Sequence, residues 1–246
     1  MTSAVPDILS RIVETKQLEV KELRASRRSF RSAISGRPAI IAEVKKASPS
    51  RGLLTPSFDP AALAAAYAEG GAAALSVLTD REYFQGSLDD LGAARRATQL
   101  PVLRKDFILD ETQIAEAFAA GADAILLIAA ILDAPALRRL REFAGTLALD
   151  VLVEAHDEAE LDRAIESGAT ILGVNNRDLH TFDVSLETSL RLARRMPAGV
   201  VAVSESGIRT RADVQRLLDA GYSAFLVGEH LMKSPDPAAA LRELLG

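Results

Sequence analysis

The chain has 246 residues, 48% of them hydrophobic and 26% charged, with a formal net charge of −5. That length and apolar content suit one large α/β barrel or two small domains and exclude a disordered chain, while the acidic balance removes the global basic field that nucleic-acid binding uses. The chain has no cysteine, which excludes a disulfide framework and thiolate metal sites and fits a reducing cytoplasm; neither a secretory signal nor an apolar run of membrane-spanning length is expected.

Residues 5–31 read as a charged amphipathic extension helix, with Ile8, Ile12, Val13, Leu18 and Leu23 as its apolar stripe. It is expected to cover one end of the fold. Arg24, Arg27, Arg28, Arg31 and Arg37 make this region locally basic, read first as a solvated face and second as modest steering of an anionic substrate.

Strand and helix patterns alternate from there on. The strand windows are Ala39–Lys45, Ala73–Thr79, Pro101–Lys105, Ala124–Ile128, Asp150–Glu154, Ile171–Asn175, Val200–Glu205 and Ala224–Gly228. Each is followed by a helical pattern, with N-terminal signals at Asp59-Pro60, Ser87 with Asp90, Asp110-Glu111, Asp133, Asp157, and Ser234 before Pro235. Gly70, Gly121, Gly168 and Gly221 each end a helix ahead of an apolar strand, where a left-handed cap suits glycine. This echo recurs about every 50 residues, the length of two βα units. Eight alternating units imply parallel pairing with right-handed crossovers, hence an α/β fold of the (β/α)8 TIM-barrel type spanning residues 1–246 as one domain. A doubly wound open sheet is the second choice; it usually carries a glycine-rich loop after its first strand, and Lys46–Gly52 is not one.

In such a barrel, chemistry sits at the carboxyl ends of the strands and in the loops beyond. Strand one ends in Glu43 and Lys45 and runs into the loop Ser48-Pro49-Ser50-Arg51-Gly52. Strand two leads to Tyr83-Phe84, strand three to Lys105, Asp106 and Phe107, and strand five to Glu154. Strands six to eight supply Asn175, Asn176 and Arg177, then Glu205, Ser206 and Gly207, then Gly228 and Glu229. Alternation places Glu43 and Lys45 on the face of Ile41, Lys105 on that of Leu103, Glu154 on that of Leu152, and Glu205 on that of Val203. Gly173, Asn175 and Arg177 likewise share a face. One polar residue ending an apolar row is well explained by a structural ion pair, such as Glu205 with Lys45; five strands ending this way are not. The three histidines, His156, His180 and His230, have no partner histidine at ligand spacing and are read as non-catalytic, His156 with the most reserve because it follows Glu154 by two. No metal and no serine–histidine–acid triad is expected. Ser206-Gly207-Ile208 and Gly228-Glu229-His230 fall where barrels often bind phosphate, with glycines admitting backbone N–H groups to the anion; the plainer reading is two tight turns. A Glu229 carboxylate would repel phosphate unless its side chain points away.

Seven segments in order carry a resemblance: Ile41–Ser50, Leu75-Ser-Val-Leu-Thr79 with Tyr83-Phe84-Gln-Gly-Ser87, Leu103-Arg-Lys-Asp-Phe107, Leu152-Val-Glu154, Gly173-Val-Asn-Asn-Arg-Asp-Leu179, Ser204-Glu-Ser-Gly-Ile208 and Phe225-Leu-Val-Gly228. Across essentially its whole length the chain resembles the indole-3-glycerol phosphate synthase family of tryptophan biosynthesis. The resemblance implies ring closure of 1-(2-carboxyphenylamino)-1-deoxyribulose 5-phosphate with loss of carbon dioxide and water. It implies Lys105 as general acid, Lys45 holding an anionic group and sharing proton transfer, and Glu154 shuttling protons for dehydration with Glu43 close by. Asn175 and Ser206 would orient substrate, and Arg177 would hold an anion or the site network. Phe84, Phe107 and Leu126 would enclose the aromatic ring, Ser48 and its loop would fold over the substrate, and Glu205, Gly207, Gly228 and Glu229 would complete the binding set. No cofactor, a phosphorylated small-molecule partner, no nucleic-acid or membrane partner, a cytoplasmic location and a monomer are expected with it.

Burial and neighbouring cations would lower Lys105 from its ordinary value, and neighbouring carboxylates would oppose that; the residues alone leave the outcome open. The competing readings are a Schiff-base aldolase using Lys105 or Lys45, a sugar-phosphate isomerase, for which a cysteine–aspartate or paired-aspartate site would be expected, and a non-enzymatic barrel that retains a phosphate site.

Overall fold

The computed structural model describes residues 7–36, 38–49, 52–54, 57–179 and 181–246, with Asp7 in its backbone alone. Arg37, Ser50, Arg51 and His180, singled out above, lie outside the described residues. Among the described residues, eight parallel strands close into a barrel: β1 (Ala39–Val44), β2 (Ala74–Leu78), β3 (Val102–Lys105), β4 (Ala124–Ile128), β5 (Asp150–Ala155), β6 (Ile171–Asn175), β7 (Val201–Glu205) and β8 (Ala224–Val227). Each pairs with its sequence neighbours, and β1 closes the ring on β8 through Ala39 opposite Ala224 and Ala42 opposite Val227. Every strand end falls within one residue of its expected window. Pro101 stays just outside β3, because it has no N–H for the ladder.

The helices between strands are α3 (Pro60–Glu69), α4 (Leu88–Ala97), α5 (Glu111–Ala120), α6 (Ala134–Thr146), α7 (Glu158–Glu166), α8 (Glu187–Leu192) and α9 (Arg211–Ala220), with α10 (Glu229–Lys233) and α11 (Pro237–Leu245) after β8. Side chains of Asp59, Ser87, Asp110, Asp133 and Asp157 cap the expected starts. The last helix starts later than Ser234-Pro235 suggested. Asp236 is its cap, ahead of Pro237, while Ser234 Oγ accepts the Asp236 N–H at 3.2 Å and shapes the turn. Gly121, Gly168 and Gly221 adopt the left-handed conformation. Gly70 does not: its φ is −72°, and its missing side chain lets the end of α3 lie against α11, where a Cβ would sit 2.9 Å from Ala238 Cα.

Period-two alternation sorts the strand residues into two buried layers. Leu75, Val77, Ile125, Leu127, Val153 and Val174 face the helices; Ile41, Leu103, Leu126, Leu152, Val203 and Leu226 fill the barrel. The interior layer also contains Phe30 and Ile34, both fully buried. These two residues close the amino end of the barrel and correct the expectation of one helix over 5–31. That stretch is two helices, α1 (Asp7–Ala25) and α2 (Phe30–Ala33), the second capped by Ser29.

The break has a long-range cause. Asp123, fully buried, accepts the Arg28 N–H at 2.8 Å and the Val102 N–H at 2.9 Å and pairs with Arg95. Asp150 accepts the Arg31 N–H at 2.8 Å. Arg27 donates to the Ala122 carbonyl at 2.8 Å and lies over the Phe118 ring at 4.7 Å. Arg27 and Arg28 therefore fasten the plug to the barrel, and Arg31 joins them through its backbone N–H, while the Arg24 and Arg31 side chains stay exposed as expected of a solvated face. The stripe of α1 does not cover the barrel: Ile8, Ile12, Val13, Leu18 and Leu23 are 46–60% exposed. Beyond β1, Ala47–Ser48 pairs antiparallel with Gly52–Leu53 as a short ribbon. Among the described residues no helix is long and apolar enough to cross a membrane.

Candidate active site

At the carboxyl end of the barrel the inward rows turn from aliphatic to charged. Glu43, Glu154 and Glu205 are buried there, with Lys105 reaching between them. Lys105 Nζ donates to Glu154 Oε2 at 3.1 Å and lies 3.7 Å from Glu205 Oε2. Lys45, one residue past β1, pairs with Glu43. Glu205 thus partners Lys105 and not Lys45, which corrects the structural pairing considered above. Two glycines make room for the carboxyls. A Cβ on Gly173 would overlap Glu205 Oε1, and one on Gly228 would overlap Glu43 Oε1. A glycine inside a strand marks such a close approach.

Above this floor opens a cavity of about 650 Å³. The expected site residues Ser48, Phe84, Phe107, Leu126, Asn175, Arg177, Ser206, Gly207, Gly228 and Glu229 all line it, together with the four charged strand-end residues and Lys45. Phe84 and Phe107 form one wall, their rings 6.2 Å apart and tilted by 37°. Opposite them, Asn175 Oδ1 accepts the Ser206 hydroxyl at 2.8 Å and the Arg177 N–H at 3.1 Å. Ser206 has φ 67° and Gly207 φ 82°, both left-handed. Buried Asn176 holds this turn by donating to the Ser206 carbonyl at 3.1 Å and to Ser204 Oγ at 3.0 Å. Glu229 does turn toward cations, since it pairs with Lys233 and lies 3.6 Å from Arg177 Nη2.

The charges settle what was open for Lys105. Burial by itself would lower it, but Glu154, Glu205 and Glu43 together raise it above the ordinary lysine value. Burial pushes the Glu154 carboxyl up, yet Lys105 and then His156 outweigh burial and hold it below the ordinary carboxylate range. Glu205 goes the other way. Burial first, and the Glu154 charge second, raise it well above that range against the pull of Lys105. Neither Glu205 oxygen has a well-formed hydrogen bond. The floor therefore sets an ammonium against two carboxyls whose proton affinities are pushed in opposite directions, Glu154 down and Glu205 up.

Two groups of residues outside the predicted set support the floor. Arg104, buried on the outer side of β3, donates to Asp106 at 2.9 Å and to Thr79 Oγ1 at 3.1 Å, which fixes the turn that carries Phe107. The signal for it was a charged residue at an outward, apolar position of a strand. His156 brackets Glu154 from behind, and its ring also bonds Glu160. The signal for it is its position two residues past Glu154, with Glu160 four residues further on.

A family model described as indole-3-glycerol phosphate synthase matches residues 6–244. The chain belongs to the indole-3-glycerol phosphate synthase family. The synthase of Polaromonas naphthalenivorans is 49% identical, covering 98% of this chain and 99% of that protein. The synthase of Koribacter versatilis is 53% identical over 94% of this chain and 91% of its own length. Membership makes the chain a decarboxylating lyase of tryptophan biosynthesis that forms indole-3-glycerol phosphate. Among solved structures, the tryptophan synthase α-subunit of Pyrococcus furiosus superposes with a TM-score of 0.64 at 17% identity, over 86% of this chain and 99% of that one. A 3-hexulose-6-phosphate synthase gives 0.66 at 20% identity over 84% and 97%. At those identities they share the barrel fold alone.

Proposed function

We propose that the barrel mouth carries out this ring closure with Lys105 as its general acid. The observation that carries the reading is the seat of Lys105: an ammonium among three carboxyls, in a cavity whose wall includes the Phe84 and Phe107 rings. The substrate's carboxyphenyl ring lies against Phe84, Phe107 and Leu126, which bury it from water. Lys105 protonates the ribulose ketone oxygen as the ring carbon attacks, and loss of carbon dioxide restores aromaticity. Glu154, a carboxylate at rest, shuttles the dehydration proton: it takes the hydrogen lost from the ring carbon and delivers it to the hydroxyl formed at the former ketone, whose C–O bond breaks to release water. Glu43 holds Lys45, whose ammonium faces the cavity and holds an anionic group of the substrate. Asn175 orients the Ser206 hydroxyl, and the phosphate lies against the Ser206-Gly207 and Gly228-Glu229 backbone with Arg177 beside it. Because Glu229 is engaged by Lys233 and Arg177, its charge is partly offset where phosphate would approach. Glu205 lies beneath substrate as the proton-bearing partner of Glu154. The acting molecule is a cytoplasmic monomer.

The Lys105→Ala variant tests the reading, with indole-3-glycerol phosphate formation followed by its fluorescence. Turnover should fall by about 10²–10⁴-fold, the usual worth of a positioned general acid, while substrate binding by titration persists. Near-normal turnover would remove Lys105 from the role. Sedimentation of the purified protein checks the monomer.

A further inference from the structure

His156 does not line the cavity, yet it touches the carboxylate to which the reaction was assigned. It follows β5 directly, with its side chain 11% exposed. Glu160, in the first turn of α7, accepts both the His156 backbone N–H at 2.8 Å and its Nδ1–H at 2.9 Å through the same Oε2. Two bonds from one oxygen to one residue fix the ring's rotamer. Glu160 is itself fixed, because Asp157 caps its N–H at 2.8 Å. On the far side of the ring, Nε2 lies 3.3 Å from Glu154 Oε1, an ion-pair contact rather than a well-aligned hydrogen bond. The two Glu154 oxygens are thus divided: Oε1 faces His156 and Oε2 receives Lys105 at 3.1 Å.

A carboxylate on each ring nitrogen has a chemical consequence. Either neutral tautomer would turn a nitrogen lone pair toward a carboxylate oxygen, so the ring fits its place only with both nitrogens protonated. We propose that His156, braced by Glu160, is a positioning residue that holds Glu154 as a carboxylate turned toward Lys105. This rests on the assignment of proton transfer to Glu154 above. Burial would lower the ring's pKa, but hydrogen bonds and charge from Glu154 and Glu160 push it up to about 10. The other charged groups around the pair are Lys105 on β3, Glu43 on β1 and Glu205 on β7. On α7 they are Asp157 at its cap and Arg163, whose guanidinium turns to the Ala129 carbonyl at 2.9 Å. The ring is therefore a fixed cation behind Glu154 that leaves the substrate side free.

The chain has three histidines, so ring ¹⁵N spectra of the labelled protein are simple, and His156→Asn assigns the signal by its loss. At pH 8 the wild-type signal should show both nitrogens protonated, and Glu160→Gln should move the ring toward neutrality. A neutral His156 at pH 8 in the wild type would overturn the proposal. In turnover, His156→Asn should shift the acid limb of kcat/KM to a pH about 1 higher, the effect of removing a close opposite charge. At pH 8 its kcat/KM should stay within about threefold of wild type and KM should be unchanged. Glu160→Gln should shift the limb in the same direction by less, and it serves if His156→Asn does not fold. A uniform loss at every pH, with the limb unmoved, would make His156 merely structural. Glu154→Gln in the same assay separates the two ideas. If it keeps turnover, the role of Glu154 itself is wrong and the proposal falls with it; if it is inactive while the limb of His156→Asn is unmoved, the proposal alone fails.

Discussion

Gly173→Ala probes the packing that puts the Glu205 carboxyl 3.7 Å from Lys105. Gly173 lies in β6 between Glu154 on β5 and Val203 on β7. A methyl group there overlaps Glu205 Oε1 and comes within 3.2 Å of Leu152 Cδ1 and 3.4 Å of Glu205 Cδ. Glu205 is 1% exposed and lies 3.7 Å from Lys105 Nζ, so a displaced carboxyl disturbs that contact. Overpacking of this kind costs about 1–3 kcal/mol. A loss of about 2 kcal/mol lowers Tm by about 4–8 °C in a protein of this size. Glycine-to-alanine replacement in an extended strand otherwise stabilises by about 0.4–1 kcal/mol through the unfolded chain. In a Glu205→Ala background the overlap is gone, so the same Gly173→Ala change should be neutral or stabilising. A double-mutant cycle by thermal or urea denaturation reads that change of sign as a coupling of about 1.5–4 kcal/mol. In the wild-type background Gly173→Ala should also lower turnover, because Lys105 loses a carboxyl neighbour. Equal destabilisation in both backgrounds would refute the reasoning, since it would mean that the methyl collides with the strand and not with Glu205.

Phe30→Ala should destabilise by about 3–5 kcal/mol, as truncation of a fully buried phenylalanine does, with kcat per folded molecule unchanged because the plug lies at the opposite end from the chemistry; a loss under about 1 kcal/mol would show that the amino end is sealed otherwise. Phe107→Ala should raise KM about tenfold with little change in kcat, a burial effect at the low end for an aromatic side chain because the ring is 44% exposed; a fall in kcat at constant KM would contradict a purely apolar role. Glu205→Gln should change the pH dependence of stability. The native carboxyl binds its proton more tightly than the unfolded one, so its contribution is full below the unfolded value and is lost as pH rises through the folded value. The Tm difference, variant minus wild type, should therefore grow as pH rises from about 4.3, the unperturbed value, and a difference flat across that range would mean that Glu205 is ionised in the fold.

What was legible in the residues and what was not divides along a physical line. Strand periods, the capping aspartates and the inward parity of Glu43, Lys105, Glu154 and Glu205 follow from local geometry, which repeats every two or 3.6 residues. Parity gives a face but not a distance. Which carboxyls meet Lys105 depends on closure of the ring, because β5 and β7 are not neighbours of β3 in the sheet. For that reason Glu205 was matched with the wrong lysine, and the direction of the Lys105 pKa could not be worked out. The break between α1 and α2 was hidden for a similar reason. Ala25–Ser29 contains neither proline nor glycine, and the helix stops because Arg27 and Arg28 find partners at Ala122, Leu100 and Asp123, 72–95 residues away. One clue to the floor was local and went unused. Gly173 interrupts an apolar strand, and a missing Cβ there is a request for space from another strand. The carboxyl that takes that space is Glu205, the inward residue at the end of β7. The acid strength of Lys105 is thus a property of barrel closure and of one glycine, rather than of the lysine's own motif.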